Sequence, residues 1–542
     1  PPPPPLKPGQ LPNSFPVDPN ITATNTFDTS WQNVFEVTQG LPNISFALAR
    51  NFAGSLPNGP MLIDTNAYTI SQNARNFADL IDIFWVDQPV GVGYSTVDSD
   101  GYVNNENDVA NDFTGFLTNL VKVFPSLAVR PLYLAGEDYA GVYISYISQT
   151  LMSASSPPVN LDKIVIGNGL LGDFALYPDL STISILESFP QLVNFDESVF
   201  NAFSSKANIC GYNLGLTYPQ TDPLPSLPAA PRRSRFWSSF RNNSRTPGVV
   251  YKRECNMKRQ SPSLGNELDP FYGCALFDEM IDYAANFTNL WAGNAFDLFD
   301  VSNALNPKAT FDGGVYFNSL QVRLALHAPF SKNWTSVNAY PFGSTTNTSS
   351  SSNIFGDPSP PPATFFENLV SAAIGKNVSV VLYSGSKNAI ANHHALEVLI
   401  QNTTFAGTRG FTRKPSTTWN DDAGNVAGIV HTERGLTYAL FNNVGALVPR
   451  AAPNAAYTFF RDYVLKSSST GTITIDSNGN TAVLGGENSA AAADVPRVAS
   501  AIFAGTATTV TTILAPSATV LAWQQFVDPR NSTSGSAAVP SL

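Results

Sequence analysis

The chain is short of charge, of basic residues and of cysteine and histidine, and each shortage removes a class of function. Only 13% of its 542 residues are charged, and 30 Lys+Arg stand against 41 Asp+Glu, for a formal net charge of -11 and a pI near 4.9. Reading phosphate requires a basic face, so nucleic acid is excluded as a partner, and so is electrostatic attachment to anionic membranes. Long hydrophobic runs are missing too. The longest mildly apolar stretch, Val498 to Trp523, is broken by Thr, Ser, Gly and Pro and is not a membrane span. The three cysteines, Cys210, Cys255 and Cys274, allow at most one intrachain disulfide, and which two pair is open. None has a His or second Cys at ligand spacing, so no metal site is expected, and no cofactor. The only imidazole bases are His327, His393, His394 and His431. Pro1 to Pro5 has neither the basic flank nor the apolar core of a signal peptide, so a mature, processed terminus is expected.

What is present describes a folded glycoprotein. Hydrophobic residues make up 43% of the chain, which excludes a disordered protein, and its length is ample for a large core. Nine Asn-x-Ser/Thr sequons occur, at Asn20, Asn43, Asn242, Asn286, Asn333, Asn347, Asn377, Asn402 and Asn531. Together, in an acidic chain, they predict N-linked glycans and a secreted, extracellular protein.

Apolar runs and amphipathic stretches alternate in the first third. Ile81 to Val86 and Leu132 to Ala135 read as strands, Asp108 to Phe124 as a helix, the stretch after Gly136 to about Met152 as a second helix, and Ile164 to Ile166 as a third strand. That order predicts an α/β fold with a mostly parallel sheet covered on both faces. The rhythm fails between Gly172 and Pro307, which holds all the cysteines and reads as an insertion with helical pieces such as Phe277 to Asn286. It resumes with a helix over Val315 to His327, strands at Ser379 to Tyr383, Ala427 to His431 and Leu436 to Phe441, and a helix over Ala455 to Leu465. The expected divisions are a proline-rich extension (1–30), a first core segment (31–172), a helical insertion or lid (173–307), a second core segment (308–466) and a Ser/Thr/Ala-rich C-terminal extension (467–542). The last reads as a small β appendage or an extended wrap.

The sharpest local signal is Gly136-Glu-Asp-Tyr-Ala-Gly141, between a strand and a helix. Small residues around an acid at such a turn are the setting of a nucleophile elbow, here carrying Asp138 rather than Ser or Cys. AGEDYAGVYI resembles the GESYAG motif of the serine carboxypeptidases, and Trp85 to Ser95 (WVDQPVGVGYS) is similar to their DQPVGVGFS segment. CGYNLGLTYPQ, DPFYGCALFDEM, ALNP, VRLALHAP, VVLYSG and GALVP follow in the family's order, from about residue 30 to 525, with the secreted fungal branch most similar. The resemblance implies an α/β-hydrolase fold and, for the family, removal of C-terminal residues from peptides.

Carried over position by position, the resemblance puts the family's serine on Asp138, its acid on Asn388 and its histidine on Ala446. A chain so substituted lacks the acyl acceptor and the proton relay of a serine hydrolase. The family's oxyanion loop falls near Arg50 to Ser55 without its double glycine and cysteine, and the partner cysteine is missing around Trp334 to Tyr340. Remodelling beyond the triad argues for natural divergence. The expectation is a non-hydrolytic protein binding a small molecule or peptide in the vacated cleft, with Asn51, Glu137, Asp138, Tyr139, Asn388 and Ala446 as its wall, and Asp138 protonated or bonded to Asn388 or water. A structural scaffold of the secretome or cell wall is one alternative, with self-association left open. The other is an enzyme using Asp138 as nucleophile, with His393 and His394 near the rim; their plainer reading is a solvated helix start.

Overall fold

The computed structural model describes residues 69–98, 101–173, 176–227, 267–288, 296–303, 357–466, 468–475, 481–505 and 510–528 as continuous stretches, with shorter pieces between them. Six strands form the central sheet: β1 (Pro131–Glu137), β2 (Asn160–Gly167), β3 (Ser379–Gly385), β4 (Thr417–Asn420), β5 (Val426–Glu433) and β6 (Leu436–Phe441). Their order is β4-β5-β6-β3-β2-β1. The pairs β1–β2, β2–β3 and β3–β6 are parallel, whereas β4–β5 and β5–β6 are antiparallel. Helices cover the parallel strands, and in β2, flanked by β1 and β3, Ile164, Val165 and Ile166 are all within 2% of full burial.

Two helices cover one face beside β1. Helix α1 (Glu106–Val123) is capped by the Asn105 side chain, which accepts from the Asp108 N–H, and it buries Val109, Phe113, Phe116, Leu117 and Leu120 at helical spacing. Helix α2 (Ala140–Ser153) packs on α1 and leads from β1 towards β2. One expected strand is absent from this sheet. Ile81 to Val86 forms no strand of it, and among the described residues β1 forms the sheet edge; Ile81 and Ile83 instead pack beside Phe77 and Phe441, leaving Phe84 exposed. The apolar run finds its burial by side-chain packing, with Val86 alone in a β-bridge. Of the helix expected over Val315 to His327, most residues lie outside those described.

Between β2 and β3 lie α3 (Glu197–Cys210) and α4 (Leu276–Phe287), and a disulfide joins Cys210 to Cys274. Cys255 lies outside the described residues. The bridge spans a separation of 64 residues. Opening it, as in Cys274→Ser, is expected to lower the unfolding free energy by about 2–4 kcal/mol in a denaturant titration, because the unfolded chain regains that loop's freedom. An unchanged midpoint would show the insertion to be held by packing alone.

Beyond β6, α5 (Pro453–Phe459) continues as a π-helical turn, Phe460–Leu465. Past residue 466, hairpins pair Ile473–Ile475 with Thr481–Val483 and Ala501–Gly505 with Val510–Leu514, and helix α6 (Ser517–Val527) packs against α3. There Trp523 donates its indole N–H to the Glu187 carbonyl and packs edge-on against Phe200. Among the described residues no helix is long and apolar enough to cross a membrane, and no group of acidic, His and Cys side chains could hold a metal ion.

Of the sequons, Asn333, Asn377 and Asn402 are exposed, while Asn286 is half-buried in α4 with its amide donating to the Asp282 carbonyl. Asn20, Asn43, Asn242, Asn347 and Asn531 lie outside the described residues.

Candidate functional site

The turn between β1 and α2 has the elbow geometry its glycines foretold. Asp138 sits in left-handed backbone conformation (φ 59°), its N–H donating to the Gly167 carbonyl and its own carbonyl accepting from Gly141 and Leu170. A Cβ on Gly136 would stand 2.6 Å from that of Ala140, and one on Gly141 would stand 3.0 Å from the Gly169 backbone. Nothing larger than glycine fits where strand turns into helix. A non-glycine residue held at positive φ at such a turn is strain characteristic of functional sites.

Two carboxyls meet here. Burial pushes Asp138 up to about 6, against the opposing pull of the Tyr139 N–H. Burial pushes Glu137 up to about 8, with Asp138 adding to the effect and the Tyr383 hydroxyl and Val448 N–H opposing it. The Tyr383 hydroxyl donates to Glu137 at 2.9 Å. Tyr139 turns elsewhere: its hydroxyl donates to Asp357, on the side of α1.

The expected Asp138–Asn388 contact is replaced by a different network. Asn388 is fully buried; its Oδ1 accepts from the Ile390 and Ala391 N–H groups and its amide donates to Asn168 Oδ1 at 3.3 Å. An Asx turn closing its own loop satisfies that side chain locally. Asn168, unmarked in the sequence reading, proves to be the hub. It follows β2 in left-handed conformation (φ 46°), and its backbone N–H donates to Tyr383. Its side chain accepts from the Gly385 N–H and donates to the Ala446 carbonyl at 2.7 Å. One amide therefore ties the Asn388 loop, the Ala446 loop and the end of β2. The local signal was there: an Asn between Gly167 and Gly169 at the end of an apolar strand.

A second element missed from sequence is the strip Asp297 to Val301. Leu298 accepts from the Ala389 N–H, Phe299 accepts from the Ala446 N–H, and Val301 donates to the Lys387 carbonyl. The strip thereby fastens the two loops over the strand ends, and a side chain on Gly445 would collide with Phe299. Ala446 is 7% exposed and presents a methyl group. Asn51 and the Arg50 to Ser55 segment lie outside the described residues.

The histidines are engaged elsewhere. His393 and His394 do open a helix, His393–Asn402, but His393 is buried, with Nδ1 2.9 Å from Glu397, which also accepts from the Tyr438 hydroxyl. The expectation of a solvated start fails because Glu397 and Tyr438 supply a buried polar partner. His431, also buried, stands 3.3 Å from Glu433. His327 lies outside the described residues.

Comparison with known proteins places these features in context. The model of the serine carboxypeptidase family matches residues 53–466. A carboxypeptidase Y homologue of Arthroderma benhamiae is 26% identical over 433 residues, covering 76% of this chain and 81% of the relative. Carboxypeptidase sxa2 of Schizosaccharomyces pombe is 24% identical over 431 residues, covering 75% and 76% respectively. Among solved structures, Kex1(delta)p, a prohormone-processing carboxypeptidase from Saccharomyces cerevisiae, gives a TM-score of 0.49 at 18% identity, covering 82% of this chain and 84% of that one.

Proposed function

The chain belongs to the serine carboxypeptidase family, with its α/β-hydrolase fold, and from that premise we propose that it is a secreted, non-hydrolytic member that holds a small molecule or peptide over the elbow. The observation that carries this reading is the engagement of Asn388 and Ala446. At the positions where the family places acid and base stand an amide closing its own loop and a methyl group, opposite an elbow that bears a carboxyl. No side chain there can take a proton from a nucleophile and return it to a leaving amine. Losses within such a unit are not additive, so one alone would remove most of the rate.

The retained elbow still offers a binding surface. In mild acid Glu137 and Asp138 carry protons and present O–H donors; as pH rises through about 6 Asp138 becomes an acceptor suited to a cation or a hydroxyl. The left-handed Asp138 would also suit a carboxylate nucleophile, but the second half of that chemistry needs a base, and His393 and His431 are paired with buried glutamates.

The test is a peptidase assay of the purified glycoprotein with N-blocked dipeptides at mildly acidic and neutral pH, paired with native and denaturing mass spectra. The expected result is no release of C-terminal amino acid and a co-purifying mass lost on denaturation. Turnover abolished by a serine-directed phosphonate would overturn the reading, and an adduct surviving on Asp138 would replace it with a covalent one. A clean mass in both spectra would favour the scaffold role instead.

A further inference from the structure

At the opposite edge of the sheet from the elbow, roughly 24 Å away across five strand spacings, β4 and the π-helical turn enclose a groove of about 560 Å³. Its wall is mostly polar but carries little net charge. Thr418 and Asn420 come from β4, Thr458 from α5, Asp462 and Tyr463 from the π turn and Lys466 from its C-cap, with Ser468 and Thr470 closing the far side. Asp462 is paired with Arg461 at 2.6 Å and lies 3.7 Å from Lys466, while Arg461 also holds Asp422. Two acids and two bases cancel, so the groove favours an uncharged ligand.

Trp419 forms its floor. The residue is 3% exposed and its ring packs edge-on against Phe441 and Tyr463, yet its indole N–H has no hydrogen-bond partner among the described residues. A buried donor left unmade costs about 1–3 kcal/mol. Tyr463 stacks on Phe459 and is half-buried, so the cluster holds its ring rigidly at the groove. A π-helical turn is itself rare and concentrates at functional sites, because widening the helix re-aims its side chains.

Hydroxyls, an amide, a compensated carboxylate and a fixed aromatic ring are the complement of a polyol: C–H faces pack on the ring and vicinal hydroxyls bridge the polar rim. We propose that this groove is a binding site for a neutral saccharide, separate from the elbow. The deglycosylated protein is titrated with maltotriose, cellotriose and mannotriose, with sialyllactose as the anionic control, by calorimetry and saturation-transfer NMR. Saturable binding of at least one neutral trisaccharide is expected, weakened about tenfold or more by Asn420→Ala and by Tyr463→Ala, and unmoved by Asp138→Asn. Asn420 is exposed, so its variant tests the site without disturbing the core. No saturable binding up to about 10 mM, binding indifferent to Asn420→Ala, or preference for sialyllactose would each overturn the proposal.

Discussion

Replacing Asn168 by alanine is expected to lower the unfolding free energy by about 3–5 kcal/mol, the largest loss from any single polar side chain near the elbow. The residue is 1% exposed, and truncation leaves the Gly385 N–H, the Ala446 carbonyl and the Asn388 amide without their shared partner in a site closed to water. Each orphaned group costs about 1–3 kcal/mol, partly recovered by local relaxation. Alanine also carries about 1 kcal/mol of left-handed backbone cost at φ 46° that asparagine, able to bond locally, bears more easily. Asn168→Gly separates the two contributions: it frees the backbone but loses the same bonds, so most of the destabilisation should persist. Denaturant melts of both variants give the answer. A loss below about 1 kcal/mol for each would mean that the strip Asp297 to Val301 holds the loops unaided.

That hub shows what was legible in the sequence and what was not. The rhythm of β1, α2 and β2 could be read directly, because period and glycine placement are local properties, and the elbow at Asp138 followed from the same run of residues. Asn168 lay in plain view between two glycines, but its partners stand more than two hundred positions away, and no periodicity reports such a contact. Tyr139 was expected to face the cleft; its hydroxyl goes to Asp357, 218 residues on. The cysteine pair was open for the same reason, since spacing limits a disulfide without choosing it. Ile81 to Val86 failed differently: a continuous apolar run is equally content in a ladder or packed against Phe77 and Phe441, and only tertiary context decides. The π turn was read as ordinary helix because its side-chain pattern departs from 3.6 periodicity over a single turn.

The Asn388 loop and the Ala446 loop illustrate how such a scaffold can keep its form while its side chains change. Most bonds joining them run through backbone groups: Leu298, Phe299 and Val301 bind main-chain atoms of residues 387, 389 and 446, and Asn168 binds main-chain atoms of 385 and 446. Substitution at 446 leaves every one of these intact, so the loops do not depend on the imidazole that the family carries there.

Glu137→Gln is expected to remove this residue's share of the pH dependence, making the variant more stable than the parent above neutrality. Glu137 is an acid whose folded pKa is raised, from 4.5 to about 8, chiefly by burial, with the Tyr383 bond opposing the rise and Asp138 adding repulsion. Below about 4.5 the carboxyl is protonated in both folded and unfolded chains and contributes no difference. Between that pH and about 8 the unfolded chain releases the proton while the folded one retains it, so stability falls steadily as pH rises. At 1.36 kcal/mol per unit, the full span amounts to about 3–5 kcal/mol, part of it shared with Asp138. Glutamine keeps an acceptor for the Tyr383 hydroxyl and carries no proton to lose. Melting the two proteins side by side should therefore give nearly equal stabilities near pH 4 and a gap in favour of Glu137→Gln that widens towards pH 8. Asp87 and Asp297, both raised by burial to about 7, titrate in the same window and remain in the variant, so its own stability still declines, but less steeply. A gap that stays constant with pH would mean that Glu137 ionises normally in the folded protein, and would remove the half-buried carboxyl pair from the elbow's chemistry.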